Sequence, residues 1–171
     1  MKIIQANKSQ LPIIAELTYA IWPSAYGAIL SKEQLTYMLD KFYSLEALTE
    51  QLEEKNHVFL LAEENEKYIG FASYELNILD ENLQQVQIKK TKIHKIYVLP
   101  STQGKGYGVQ LVNEIESKAK DAQNNVLFLN VNRFNKAQHF YRKLDFEIAY
   151  EEDIEIGNGY LMEDYVMEKK V

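Results

Sequence analysis

The chain has 171 residues, 46% of them hydrophobic and 26% charged, a composition that excludes a disordered chain and suits one domain over residues 1–171. Its formal net charge of −6 disfavours nucleic acid as a partner and suits small cations. Cysteine is absent, which excludes a disulfide scaffold, a thiolate metal site and a cysteine nucleophile.

Residues 2–4 read as a short first strand. Residues 1–8 lack the apolar core of a secretory signal, and no apolar run reaches the roughly 20 residues that span a bilayer, so a cytoplasmic protein off the membrane is expected. Asn7 or Ser9 caps a helix with Pro12 in its first turn, where a missing N–H is tolerated. Ile14, Leu17, Thr18 and Ile21 share one helix face, and Trp22-Pro23-Ser24 is predicted to end that helix. Ser31-Lys32-Glu33-Gln34 has the pattern of a capping box, opening a helix with Leu35, Met38, Leu39 and Phe42 on one face. A shorter helix over 44–54 carries Leu45, Leu48 and Leu52. Residues 58–62 and 68–74 form an antiparallel hairpin around a polar turn, and 77–85 read as a loop.

Residues 92–99 are a further strand, stopped by Pro100. Gly108, Leu111, Val112, Ile115 and Ala119 mark the next helix, and the apolar run 126–129 predicts a strand covered on both faces. Strand, helix and strand make a parallel crossover. Ala137, Phe140, Tyr141 and Leu144 form a short helix, and 146–156 with 160–169 close a hairpin around Gly157-Asn158-Gly159. This order predicts an α/β (α+β) fold: a mixed, mostly antiparallel sheet of about seven strands, flanked by helices, with one βαβ unit.

The segment Pro100-Ser101-Thr102-Gln103-Gly104-Lys105-Gly106-Tyr107-Gly108 joins that strand to that helix. Its glycines turn tightly and expose backbone N–H groups, and the helix's first turn adds its own free N–H groups. Lys105 adds a positive charge, so the loop suits an anion, a phosphate above all. A dinucleotide fingerprint fails because Val109 stands at its third glycine position, and the P-loop pattern is missing. Gln103-x-x-Gly106-x-Gly108 matches the Q/R-x-x-G-x-G/A pattern that binds a coenzyme A diphosphate; a plain flexible turn is the alternative.

Over residues 90–146 the chain resembles the GNAT superfamily of acetyl-CoA-dependent N-acetyltransferases. The strand His94-Lys95-Ile96-Tyr97-Val98-Leu99-Pro100 precedes the glycine loop, and Phe128-Leu129-Asn130-Val131-Asn132 follows the helix. Asn135-Lys136-Ala137-Gln138-His139-Phe140-Tyr141-Arg142-Lys143-Leu144-Asp145-Phe146 is similar to the family's N-x-A-x-x-F-Y-x-K-x-G-F stretch. Asp145 stands where the family usually has glycine, and Gln103 replaces the commoner arginine. Trp22, Tyr26, Ile29-Leu30-Ser31, Gln34-Leu35, Tyr37-Met38-Leu39 and Tyr43-Ser44 are similar to the opening of bacterial polyamine (spermidine/spermine) N-acetyltransferases.

The resemblance implies direct transfer of an acetyl group from acetyl-CoA to a primary amine, with a small cationic amine such as a polyamine favoured. A protein N-terminus or lysine as acceptor, and a non-catalytic acyl-CoA-binding module, are the alternatives. GNAT-like proteins are often dimers, which makes the C-terminal hairpin a candidate pairing edge; no metal is implied. Tyr141 becomes the general acid, since a phenol of pKa about 10 suits returning a proton to a thiolate. Ile96, Tyr97 and Val98 would pair their backbone with the pantetheine arm, and an N–H of Tyr97 or Val98 would face the oxyanion. Gln103, Gly104, Lys105, Gly106, Tyr107 and Gly108 would hold the diphosphate. Asn135 either bonds the cofactor arm or caps a helix. Lys136, Arg142 and Lys143 read as solvated charges.

The general base stays open. His94 suits the role by its pKa, Glu75 is the second candidate on the amine side, and water relays remove the need for either. His57 and His139 read as surface or edge positions. Trp22, Tyr26, Tyr37 and Tyr43 offer an aromatic wall to a cationic amine. Asp164 shares strand parity with Tyr160, Met162 and Val166, which points an acid inward where it can anchor an ammonium group.

Overall fold

Hydrophobic periodicity changes from helical to strand-like near residue 57, and the computed structural model, which describes residues 1–79 and 88–171, follows that change. In chain order the elements are β1 (Lys2–Gln5), α1 (Leu11–Tyr26), α2 (Lys32–Tyr43), α3 (Leu45–Glu53), β2 (Val58–Glu64), β3 (Lys67–Leu79), β4 (Lys89–Val98), α4 (Tyr107–Asp121), β5 (Val126–Asn132), α5 (Ala137–Arg142), β6 (Glu147–Gly157) and β7 (Tyr160–Lys170). The strands form a seven-stranded sheet in the order β1-β2-β3-β4-β5-β7-β6. The β4–β5 pair is parallel, whereas β1–β2, β2–β3, β5–β7 and β6–β7 are antiparallel. This is the mixed, mostly antiparallel α/β sheet that the element order predicts. Residues 77–79, read as the start of a loop, continue β3; the rest of that loop, 80–85, lies outside the described residues. No helix among the described residues is long and apolar enough to cross a membrane.

The chain divides into two compact units, residues 1–75 with 95–114, and residues 76–94 with 115–171. In the first, Asn7 and Gln10 form a capping box around the short 3-10 turn Lys8–Gln10 that leads into α1. Helix α1 buries Leu11, Ile14, Leu17, Thr18, Ile21 and Trp22, the predicted face extended by one residue at each end. Pro23 does not end α1, which runs on to Tyr26 and closes with Gly27 N–H donating to the Pro23 carbonyl at 3.0 Å. The proline lies in the last turn and opposes the carbonyl of Tyr19, an exposed residue, so the helix has only to yield on its solvent side.

Ser31 caps α2 by accepting from Gln34 N–H at 3.1 Å, and Ser44 caps α3 by accepting from Ala47 N–H at 3.2 Å. Strand β2 is buried throughout from Phe59 to Ala62. Gly70 on β3 is required by packing: a Cβ there would stand 2.5 Å from the Tyr97 carbonyl oxygen and 2.9 Å from Val98 Cγ1.

In the second unit, β5 buries Leu127, Leu129 and Val131 and leaves Phe128, Asn130 and Asn132 half-exposed. The expectation of a strand covered on both faces is therefore corrected. The apolar run is continuous only because Phe128 serves the second face, where the ammonium groups of Lys90 and Lys92 lie 5.9 and 5.5 Å from its ring. The parallel ladder joins Lys90–Ile93 to Val126–Leu129, while β4 runs on to Val98 and β5 to Asn132. Asn158 and Gly159, at φ 56° and 76°, turn the β6–β7 hairpin as a two-residue loop with both residues left-handed.

Replacing Gly70 with alanine forces a methyl group onto β4 backbone. Gly70→Ala should lower stability by about 1–3 kcal/mol, the usual cost of overpacking, read as a shift in urea unfolding midpoint.

Candidate active site

Pro100–Thr102 forms a 3-10 turn in which the Thr102 hydroxyl donates to the Leu99 carbonyl at 2.7 Å. Gln103, Gly104, Lys105 and Gly106 then run exposed to the start of α4. Gly104 and Gly106 sit at φ 80° and 78°, and no atom lies within 4 Å of where either Cβ would stand. The loop thus keeps open the space into which the unpaired N–H groups of the α4 N-terminus point. The donor set, backbone N–H with one lysine, fits a phosphate.

Tyr107, a residue of the expected diphosphate loop, has its side chain engaged elsewhere. Its ring is buried and its hydroxyl donates to Glu64 Oε1, while Lys105 Nζ stands 3.6 Å from Glu64 Oε2. The hydrogen bond from Tyr107, then the charge of Lys105, holds the Glu64 carboxyl below its usual value, and the same bond raises the Tyr107 phenol. Tyr107 offers the loop its backbone, its side chain being committed to Glu64. Glu64 is absent from the sequence-based candidates; its one trace there is the acidic tip of the β2–β3 hairpin.

Trp22, Tyr26, Tyr43 and Tyr97 gather into one cluster, with ring centroids 4.6, 5.0 and 6.1 Å from Trp22 in that order. The Tyr26 and Tyr97 hydroxyls are 3.2 Å apart, and Tyr97 packs 5.5 Å from Phe71. Burial pushes the Tyr43 and Tyr97 phenols well above the ordinary tyrosine value. Beside them the buried Lys95 donates to Gln51 Oε1 at 2.6 Å, its ammonium 5.2 Å from the Tyr43 ring. Tyr37 lies outside the four rings; its hydroxyl accepts from Lys41 Nζ at 3.4 Å. His57 is buried, which corrects the surface reading: it is the residue before β2, Nδ1 facing Ser73 Oγ at 3.4 Å. A His57 ring nitrogen and a Glu75 carboxylate oxygen lie within 4.8 Å of each other.

In the second unit, Tyr141 is held by the way α5 ends. Phe146 N–H donates to the Tyr141 carbonyl at 3.1 Å and Asp145 N–H to the Arg142 carbonyl at 3.2 Å, the paired bonds of a Schellman motif. Its left-handed residue is Asp145, at φ 66°. That conformation is why glycine is usual there. The Phe146 ring packs 5.8 Å from Tyr141, the apolar contact that accompanies the motif. Asn135 Oδ1 accepts from Ala137 N–H at 2.8 Å, a local turn just ahead of α5, whose N-cap is Lys136. His94 is half-buried on β4.

Asp164 is buried on β7, as its parity predicts, opposite Asn132 of β5 and Glu152 of β6. Burial first, and then the charge of Glu152, raises its carboxyl to about 6.

The chain matches the acetyltransferase (GNAT) family over residues 15–146. It is 25% identical over 142 residues to an uncharacterised N-acetyltransferase encoded in the pepI 3′ region of Lactobacillus delbrueckii subsp. lactis, covering 82% of this chain and 81% of that one. It also matches the crystal structure of PaiA N-acetyltransferase from Thermoplasma acidophilum in complex with coenzyme A, with TM-score 0.77 and 25% identity over 99% of this chain and 98% of that one. A ribosomal-protein-alanine N-acetyltransferase from Brucella melitensis shares the fold, with TM-score 0.68 and 22% identity over the full length of both chains.

Two stability effects follow. Asp145→Gly relieves a left-handed aspartate and should raise stability by about 0.5–1 kcal/mol in chemical unfolding. Asp164 has a folded pKa of about 6 against 3.8 for the free side chain, so its contribution is most favourable below pH 4 and is lost as pH rises through 6. Asp164→Asn should therefore stabilise the fold at pH 8 by about 1–2 kcal/mol after allowance for solvent screening. Thermal unfolding should show that gain shrinking as pH falls from 6 to 4.

Proposed function

Because the chain belongs to the GNAT family of acetyltransferases, we propose that it moves an acetyl group from acetyl-CoA to the primary amine of a small cationic acceptor, such as a polyamine. The observation that carries this reading is the glycine loop before α4. Two left-handed glycines with open space at their Cβ positions leave backbone N–H groups accessible to a diphosphate. In this reading residues 1–171 are one catalytic domain in the cytoplasm, and β6, an edge strand of the sheet, is where a second copy pairs.

Bound acetyl-CoA supplies an acyl group activated as a thioester. Gln103, Gly104, Lys105, Gly106 and Gly108, with the Tyr107 backbone, hold its diphosphate. Ile96, Tyr97 and Val98 offer backbone groups to the extended arm, and an N–H of Tyr97 or Val98 donates to the acyl oxygen as negative charge gathers there. Asn135 bonds the arm through its amide nitrogen. Tyr141 gives its phenolic proton to the leaving sulfur. The candidate acceptor residues are Tyr26 and Tyr37, with the buried Trp22 behind Tyr26, and the carboxylates Glu75 and Asp164; His94 is a candidate for carrying the proton away. Support for a cationic acceptor comes from the acidic β6–β7 hairpin, where residues 147–164 contain seven Asp or Glu and no Lys or Arg.

The test is thiol release from acetyl-CoA against polyamines, small monoamines, amino acids and peptides with free N-termini. Amine-dependent release with a polyamine ahead is expected; a peptide ahead would move the acceptor class to protein N-termini or lysines. Tight acetyl-CoA binding without release for any acceptor would mark a non-catalytic module. Tyr141→Phe should lower kcat about 10²–10⁴-fold while leaving acetyl-CoA affinity, measured by calorimetry, within twofold. Unchanged turnover would remove Tyr141 from the chemistry.

A further inference from the structure

A buried carboxylate ordinarily has a hydrogen-bond donor or a cation beside it. Asp164 is 6% exposed, and its carboxylate, whose oxygens still reach water, has no hydrogen bond or ion pair to a described residue. The groups around it explain why. Across the sheet it stands in one row with Asn132 and Glu152, and paired residues of adjacent antiparallel strands share a face. Glu152 is itself fixed by Asn130 Nδ2 at 2.9 Å and adds negative charge. Arg133 is committed to Glu151 at 2.8 Å and to Asp153. Lys92 extends its ammonium over the Phe128 ring. Burial and then Glu152 raise the acid, the charges of Lys92 and Arg133 lower it, and Asp153 adds a smaller rise.

The position ties this acid to the helix that bears Tyr141. Asn132, its partner across the ladder, is the last residue of β5. Asn135 N–H donates to the Asn132 carbonyl at 2.9 Å, and Gln138 Nε2 donates to the Arg133 carbonyl at 2.6 Å, so the first turn of α5 is laced to the same strand end. In open α/β sheets, the carboxyl end of a parallel strand is where ligands are met.

We propose that Asp164 is the base of the transfer, taking the proton from the acceptor's ammonium group. The role rests on the acetyltransferase reading above. One N–H bond of the ammonium breaks, its electron pair becomes the lone pair of the nucleophile, and an O–H bond forms on Asp164. That proton leaves to water and is the net proton released when an ammonium and a thioester become an amide and a thiol. Tyr141 supplies the sulfur's proton and recovers one from the acylated nitrogen, so its own balance closes. A carboxyl raised to about 6 stays ionised at neutral pH and is a stronger base than an ordinary aspartate.

The experiment is the pH profile of kcat/KM for the full chain, with the best amine of the panel, in wild type, Asp164→Asn, Asp164→Glu and His94→Gln. Wild type should lose activity tenfold per unit below about pH 6. Asp164→Asn should lose at least 100-fold in kcat at pH 7, keep its acetyl-CoA affinity, and show no limb near 6. Asp164→Glu should recover part of the rate, and His94→Gln should retain the limb. An asparagine variant within fivefold of wild type that keeps the limb overturns the assignment while leaving the acetyltransferase reading intact. A second readout needs no turnover: carbon-13 NMR of aspartate-labelled protein, with the Asp164 carboxyl assigned by its loss in Asp164→Asn. It should titrate near pH 6 and shift when an alkylammonium salt is added; an Asp164 that titrates near 4 and ignores the amine overturns the proposal whether or not transfer is seen.

Discussion

The ladder between β4 and β5 spans four residue pairs, and much of the proposed chemistry depends on where it stops. Both strands continue past Ile93 and Leu129, β4 to Val98 and β5 to Asn132. Extended backbone beyond a ladder still carries N–H and C=O groups that need partners. On β4 these belong to the residues assigned to the extended arm of the cofactor, and an arm with amides of its own can act as a missing strand. Gly70 matters for the same reason. It lets β3 approach the Tyr97 carbonyl so closely that β4 is fixed from behind along this stretch. The glycine loop continues the arrangement, since β4 leads directly into the turn that opens the α4 N-terminus.

Tyrosine is plentiful in this chain, and its environments sort the tyrosines by what they can do. Burial raises the Tyr43 and Tyr97 phenols, and the Tyr26–Tyr97 hydroxyl pair links α1 to β4. Tyr107 is fastened to Glu64. Tyr141, half-buried like Tyr26 and Tyr97, differs in that the end of its helix is fixed by two backbone bonds and one ring contact. The family's usual glycine and this chain's Asp145 reach the same left-handed turn; aspartate reaches it at a steric cost that its short polar side chain keeps small.

Periodic features were legible in the sequence because they are local. The faces of α1, α2 and α4, the I′-type turn at Asn158-Gly159, the glycine loop and the parity of Asp164 each follow from spacings of a few residues. Misreadings came from tertiary context. Pro23 looked like a terminator because sequence alone does not say that the opposing carbonyl lies on an exposed side. The run 126–129 looked buried on both faces because Phe128 counts as apolar whether it meets a core or the stems of two lysines. His57 looked peripheral because its burial depends on pairing across β2 and β3. Glu64 went unnoticed because an acid in a hairpin tip has meaning only through Tyr107, 43 residues away.

The β6–β7 hairpin shows how one acidic segment divides its charge by strand alternation. Glu151, Asp153 and Glu163 converge on Arg133, which holds them at 2.8 Å, in direct contact and at 3.6 Å respectively. Glu152 and Asp164 belong to the alternate set, and the neighbour that Glu152 has is an amide. A second arginine on that face would relieve the repulsion and bring the Asp164 carboxyl down towards its ordinary value. It would also neutralise the carboxylate that is proposed as the base. Proteins tolerate such local instability mainly where a ligand completes the site. A positive group that carries its own N–H bonds suits this face beside Lys92, and an ammonium has both the charge and the protons to give.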